Sequence, residues 1–361
     1  MLQLRQLDTI NRLDYMVEKL IKRENWADYV KAFAIFSMII CHAGVGLKNP
    51  NLCMFIYSFH MPVFFLISGY FEKPNNQQTV KQKILINLKK FITPYVVFNF
   101  FGFTYCWYGM LNHPELNHYI TASQIIPNGI VGILTFQLSQ TDYSFLPNGV
   151  LWFLISLLEC KMIFIVTDIV YSKSKLATVG LVFLYAFFAY VFITSRLELF
   201  VIGPTLLAIP FYYMGFLAKR YHVFERLNTT QSFFITIISF TILYNLYTLN
   251  GRPDVASVWF GKNIMLFYLN AVLGSIMCIT FSKCLGDIPY LSYVGRNTLA
   301  VLCVHVFFVM VGKRVISIIS FIPEYSFIYC FLVSLFSISW SLLTGAYIMK
   351  HWPWMLGKFK R

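Results

Sequence analysis

Apolar residues run along this chain in blocks of about 20, separated by short polar gaps, rather than recurring every third or fourth position as in a helix with one wet face. A block of that length, at 1.5 Å rise per residue, matches the roughly 30 Å hydrocarbon core of a bilayer, so each predicts a spanning helix. Ten blocks are legible, near residues 27–46, 52–71, 91–111, 149–171, 176–194, 203–218, 232–249, 263–282, 298–316 and 326–349. The block at 203–218 is the least regular, because it is short and contains Pro204 and Pro210. Within the second block, Pro62 predicts a kink, and Ser68 with Gly69 predicts a close helix contact. An even number of spans places both termini on one side.

Composition agrees with this pattern. Of 361 residues, 58% are hydrophobic and only 12% charged, against about 25% charge in soluble domains. A soluble enzyme and a disordered chain are thereby excluded. The net charge of +14 would suggest nucleic acid in a soluble protein, but Lys and Arg occupy the gaps between apolar blocks, where they act as orientation signals. With a cytoplasmic amino terminus, 21 of the 29 basic residues fall on the inner side and 4 on the outer. The expected architecture is therefore an all-α, polytopic membrane helix bundle of about ten spans with both termini cytoplasmic. It comprises a basic arm (1–26), a transmembrane domain (27–349) and a basic tail (350–361). The polar stretch from Met1 to Trp26 lacks the features of a cleavable signal, so the first span is expected to be an uncleaved anchor. The outer stretch Asn112 to Asn148 has no Lys or Arg but an apolar patch at Gly129 to Phe136, and reads as a lid over an external opening. The eight cysteines lie in or beside apolar blocks without the tight spacing of a zinc site or disulfide framework, and no metal is expected.

Ionisable side chains at bilayer depth are few and mark candidate sites. The first block holds Asp28, Lys31 and His42. Asp28 and Lys31 are three residues apart and can pair, whereas His42, eleven beyond Lys31, returns to the same face after about three turns and lies roughly 16 Å along the axis. A cation at one mouth and an imidazole deep in the bundle suit a long ligand with an anionic part and a reactive end. His60 follows in the second block. In the fourth, Glu159 and Lys161 are two apart, so each needs a partner on another helix. His305 follows Arg296-Asn297-Thr298 in the ninth, and Lys313 and Arg314 are expected to snorkel.

Two motifs carry a resemblance: Asp28-Tyr-Val-Lys31 followed by ten residues and His42, then Phe59-His60-Met61-Pro62 with Phe64-Phe65-Leu66-Ile67-Ser68-Gly69-Tyr70-Phe71. With Leu151-Trp152-Phe153-Leu154, Tyr213-Met-Gly215-Phe216 and Gly295-Arg296-Asn297-Thr298, they resemble the acyltransferase family three membrane enzymes, particularly the short fucose 4-O-acetylase-like members. The family's usual Arg before the ten-residue spacer is Lys31 here, which keeps charge and loses bidentate recognition. The resemblance implies transfer of an acyl group, usually acetyl, from cytoplasmic acyl-coenzyme A to a glycan hydroxyl at the inner, cytoplasmic membrane of a bacterial-type cell. His42 is then the expected general base with His60 assisting. Lys31, Arg296 and Lys73 are expected to hold donor phosphates, Lys89 and Lys90 being weaker candidates, and Asp28, Glu159 and His305 are supporting residues. Expected partners are acyl-coenzyme A, a glycan acceptor and membrane lipids, with no nucleic acid and with homodimerisation open. The competing expectation is a transporter or flippase for a lipid-linked glycan, with Glu159 and Lys161 at its centre and His42 dispensable.

Overall fold

In a computed structural model, the described residues are 25–72, 79–112, 124–136, 146–194, 202–319 and 321–359. They form α1 (Asn25–His42), α2 (Pro50–Tyr57), α3 (His60–Tyr70), α4 (Val80–Asn112), α5 (Ile125–Thr135), α6 (Trp152–Lys173) and α7 (Lys175–Thr194). After these come α8 (Ile202–Arg220), α9 (Thr229–Asn250), α10 (Ile264–Cys284), α11 (Pro289–Arg296), α12 (Thr298–Ser317) and α13 (Phe327–His351). Each of the ten apolar blocks is helical. Among the described residues seven stretches are long and apolar enough to cross a membrane: Pro50–Tyr70, Val80–Thr104, Gly149–Lys173, Thr229–Asn250, Ile264–Cys284, Thr298–Ser317 and Phe327–His351. The chain is a multi-pass membrane protein built of helices. Its exposed surface is correspondingly apolar, as along Phe233, Phe234, Ile237 and Ile238 of α9.

Two sequence expectations take definite form. The second block divides at Ser58 and Phe59, four and three residues before Pro62. Ser58 is four residues before Pro62, whose missing N–H and ring clash fall on the Ser58 carbonyl, so the expected kink takes the form of this break, and Pro62 lies in the first turn of α3. The patch Gly129 to Phe136 lies mostly in α5, whose Ile133 carbonyl accepts from Tyr95 Oη of α4 at 3.2 Å while Leu134 is exposed. Residues 113–123 and 137–145, the rest of the expected lid, lie outside the described residues.

α1 runs through the centre, packed on α3, α10, α11, α12 and α13. Its amino-terminal turn is pinned by Tyr29 Oη, which donates to the Gly286 carbonyl at 3.0 Å and accepts from Ile288 N at 2.7 Å. α3 and α8 approach unusually closely. A Cβ on Gly69 would stand 1.8 Å from the Tyr212 carbonyl oxygen, and one on Gly215 would stand 1.9 Å from that of Leu66, so the backbones touch where the side chains are absent. This contact lets Phe65, Tyr70, Phe211 and Tyr212 bury fully around it and fixes the wall on which the polar residues below are mounted.

Candidate active site

A cavity of about 1750 Å³ passes along α1 through the bundle, larger than the 300–1,000 Å³ typical of small-ligand pockets. Lys31 and His42 both line it, so the eleven-residue spacing does bring them to one face. At the Lys31 end the wall also carries Lys90, Lys161, Tyr347 and Trp352; at the other it carries Tyr57, Asn148, Asp254 and Trp259. Between them the lining is apolar, including Ile35, Met38, Phe64, Trp152 and Phe153.

The cations are held by carboxylates. Lys31 Nζ lies 2.6 Å from Asp28 Oδ1, and Arg296 Nε reaches Asp28 Oδ2 at 3.4 Å. Asp28 itself is buried. Arg296 is half-exposed and is not part of the cavity wall, so its part in the site runs through Asp28. Lys73 lies outside the described residues. Lys161 takes its partners from two other segments, as its spacing from Glu159 requires: Glu72 forms an ion pair with it, and Tyr212 Oη lies at 3.1 Å and also donates to Glu72. Glu159 turns elsewhere and accepts from Thr205 Oγ1 at 2.5 Å, and that hydroxyl lies 2.9 Å from Ser156 Oγ. The two residues that a carrier would use as a centre therefore belong to different networks.

Three imidazoles stand toward the other end. The His42 side chain is accessible and faces the cavity it lines. His305, fully buried, has its ring centroid 5.5 Å from that of His42. His305 Nδ1 lies 3.1 and 3.0 Å from the carbonyl oxygens of Val301 and Leu302. Carbonyl oxygens only accept, so Nδ1 carries the proton and Nε2 keeps its lone pair. Among the described residues that buried Nε2 has no hydrogen-bond partner. His60, also buried and on the cavity wall, is fixed in the same tautomer by donating from Nδ1 to the Ile56 carbonyl at 3.0 Å, its ring against Tyr57 at 4.9 Å.

Sequence reasoning did not single out Asn148, Lys90's neighbour Lys161 as a donor contact, or the segment Asp254 to Trp259. Asn148 is held by Asn99 Oδ1, which accepts its backbone N–H at 3.0 Å, and donates from Nδ2 to the Cys303 carbonyl at 3.0 Å. Among the described residues its Oδ1 is a buried acceptor without a partner, and Cys303, whose carbonyl its Nδ2 holds, stands two residues before His305 on α12. No motif announced these residues, because their roles come from which loops close the cavity. The eight cysteines are free, and among the described residues no group of three His, Cys, Asp or Glu side chains is placed to hold a metal.

No curated protein and no solved structure matches the chain. The sequence model described as an acyltransferase domain, that of acyltransferase family 3, matches residues 24–345 and so takes in α1 with Lys31 and His42, both ends of the cavity and almost all of the chain. A membrane helix bundle with a continuous polar-ended cavity and an imidazole along it, matched over that length, belongs to acyltransferase family 3 and is an acyltransferase.

Proposed function

We propose that the protein transfers an acyl group, acetyl in the first instance, from acyl-coenzyme A to a hydroxyl of a cell-surface or lipid-linked glycan, with His42 as general base. The observation that carries this reading is the single cavity joining a cluster of three lysines to His42. Coenzyme A is long, polyanionic at one end and reactive at the other. Lys31, Lys90 and Lys161 receive its phosphates, each lysine acting as a point charge, while the apolar passage takes the pantetheine arm toward His42. The inner location of the lysines follows the charge asymmetry of the sequence, 21 basic residues against 4.

A sugar hydroxyl is too weak an acid to attack a thioester unaided. In the proposed step the neutral His42 ring takes the hydroxyl proton while the hydroxyl oxygen bonds to the thioester carbonyl carbon. The carbon–sulfur bond then breaks, and the leaving thiolate recovers the proton from the His42 imidazolium. Ester and free coenzyme A result, with atoms and charge balanced. His305 is assigned a supporting part in the step: its buried Nε2 lone pair, without a partner among the described residues, takes up the other ring N–H of His42 as that ring becomes charged, which orients the base and stabilises the imidazolium that forms. His60, held by Ile56 and Tyr57, borders the same space and shapes it. Asp28 keeps Lys31 at the mouth, and Glu159 braces α6 against α8 through Thr205.

The test is His42→Ala in purified, membrane-reconstituted protein. Transfer should fall by about 10² or more with the protein still folded, the usual worth of a general base. Retention of wild-type turnover would overturn the assignment. Loss of glycan export with acylation of the exported glycan intact would instead favour the transporter.

A further inference from the structure

The segment between α9 and α10 is built as a rigid rim rather than a slack connection. Asn250, fully buried, donates from Nδ2 to the Phe260 carbonyl at 2.7 Å, accepts from Asn263 N at 2.9 Å through Oδ1, and accepts from Lys262 N at 2.8 Å through its carbonyl. Asp254 and Trp259 close an antiparallel bridge, with their backbone groups paired at 2.7 and 2.8 Å. Gly261 turns the chain at φ +87°, where a Cβ would stand 2.5 Å from the Asn250 carbonyl oxygen.

Val258, beside Trp259, has φ +51°. A β-branched residue in the left-handed region is a true outlier, and such strain persists where the surrounding structure imposes it, often at binding sites. Here Val258 is wedged on Gly203 at the start of α8, and the consequence is the setting of its neighbour. Trp259 lies parallel to Phe260 at 6.1 Å between ring centroids with an interplanar angle of 7°, yet remains 51% exposed and lines the cavity. Asp254 and Ser257 line it with Trp259. Arg252 lies 4.0 Å over the ring of Tyr57, itself a wall residue and the ring partner of His60. A continuous run of contacts thus leads from this rim to the imidazoles.

We infer that the 251–263 hairpin is the acceptor subsite of the acyltransferase and that it takes a sugar ring, whose C–H face lies on Trp259 and whose hydroxyls bond to Asp254 and Arg252. The inference rests on the acyl-transfer reading above and names where the acceptor of that reaction is recognised. A sugar is apolar on its ring face and hydrogen-bonding around its edge. An open indole flanked by a carboxylate acceptor and a guanidinium donor matches both surfaces. An unmodified lipid chain would have no use for the Asp254 and Arg252 pair.

The experiment uses the full chain in nanodiscs, acetyl-coenzyme A as donor, and the oligosaccharides released by mild acid from the producing cell's own surface glycan as acceptor. Trp259→Ala should raise the acceptor KM about tenfold and Trp259→Phe should restore most of the loss, with the donor KM unchanged in both. Asp254→Asn, which keeps the size and the Ala256 contact, should raise the acceptor KM in the same selective way. An unchanged acceptor KM in Trp259→Ala would overturn the inference and leave Trp259 an interfacial membrane anchor. Parallel rises in donor and acceptor KM would also overturn it, as general damage to the bundle. Wild-type protein that acylates none of these sugars would refute the acyl-transfer reading itself, a distinct failure.

Discussion

His305→Leu removes a hydrogen-bond acceptor beside His42 while nearly conserving volume in a fully buried position. The wild-type ring is locked by Val301 and Leu302, so its Nε2 lone pair points away from its own helix, and the only work proposed for it is on the His42 ring 5.5 Å off. A hydrogen bond to a group that becomes charged is worth about 1.5–3 kcal/mol. If that bond strengthens as His42 takes the hydroxyl proton, its loss appears in kcat, and at 1.4 kcal/mol per decade the fall is about 10- to 100-fold. The assay is steady-state transfer from acetyl-coenzyme A with both KM values measured. His305→Gln returns an acceptor oxygen and should recover most of kcat, whereas leucine should not. Thermal unfolding should show both variants folded. Equal kcat for the leucine and glutamine variants, or a leucine variant within about threefold of wild type, would refute the orienting role and leave His305 a packing residue.

Lys31→Ala should raise the donor KM more than it lowers kcat, with Lys31→Arg tolerated; equal losses in both parameters, reproduced by Asp28→Asn, would make the Asp28 pair structural. Gly69→Ala places a methyl group against the Tyr212 carbonyl and should destabilise the fold by about 1–3 kcal/mol, read as a lower yield of folded protein and a lower melting temperature; an unchanged melting temperature would show that α3 and α8 can separate. Outside the membrane segments, burial pushes the Glu225 carboxyl up, but hydrogen bonds from Lys219 and His222 outweigh it and hold it at about 2. A carboxylate lowered on folding stabilises above its unfolded value, near 4.3, and loses that contribution as pH falls toward 2. Glu225→Gln should therefore lower the melting temperature at pH 7, and the difference from wild type should shrink below pH 4; a difference independent of pH would contradict the linkage.

Seven spanning helices were legible because a bilayer demands unbroken apolar length, and their blocks meet that demand between residues 50 and 351. The shared face of Lys31 and His42 was legible for a similar reason, since helical period alone decides it. What was not legible depended on contacts between distant segments. Glu72, in a gap that read only as cytoplasmic, turns out to hold Lys161 across α3 and α6. Asn148 was counted as the end of a loop without Lys or Arg, yet its amide is fixed by Asn99 and the Cys303 carbonyl in the cavity wall. The hairpin after α9 gave no periodic signal, because its form comes from Asn250 and Gly261 rather than from alternation. The kink expected from Pro62 was legible as well, since the break at Ser58 and Phe59 falls where a proline removes the bond to the carbonyl four residues before it.

The central claim is that one cavity brings a cytoplasmic donor and an external acceptor to His42. It is tested most directly in sealed right-side-out vesicles that hold acyl-coenzyme A in the lumen and meet the glycan acceptor only outside. The expected result is acylation of the external acceptor, lost with His42→Ala. Acylation only of acceptor trapped with the donor inside would contradict the claim and place the whole reaction on the cytoplasmic face.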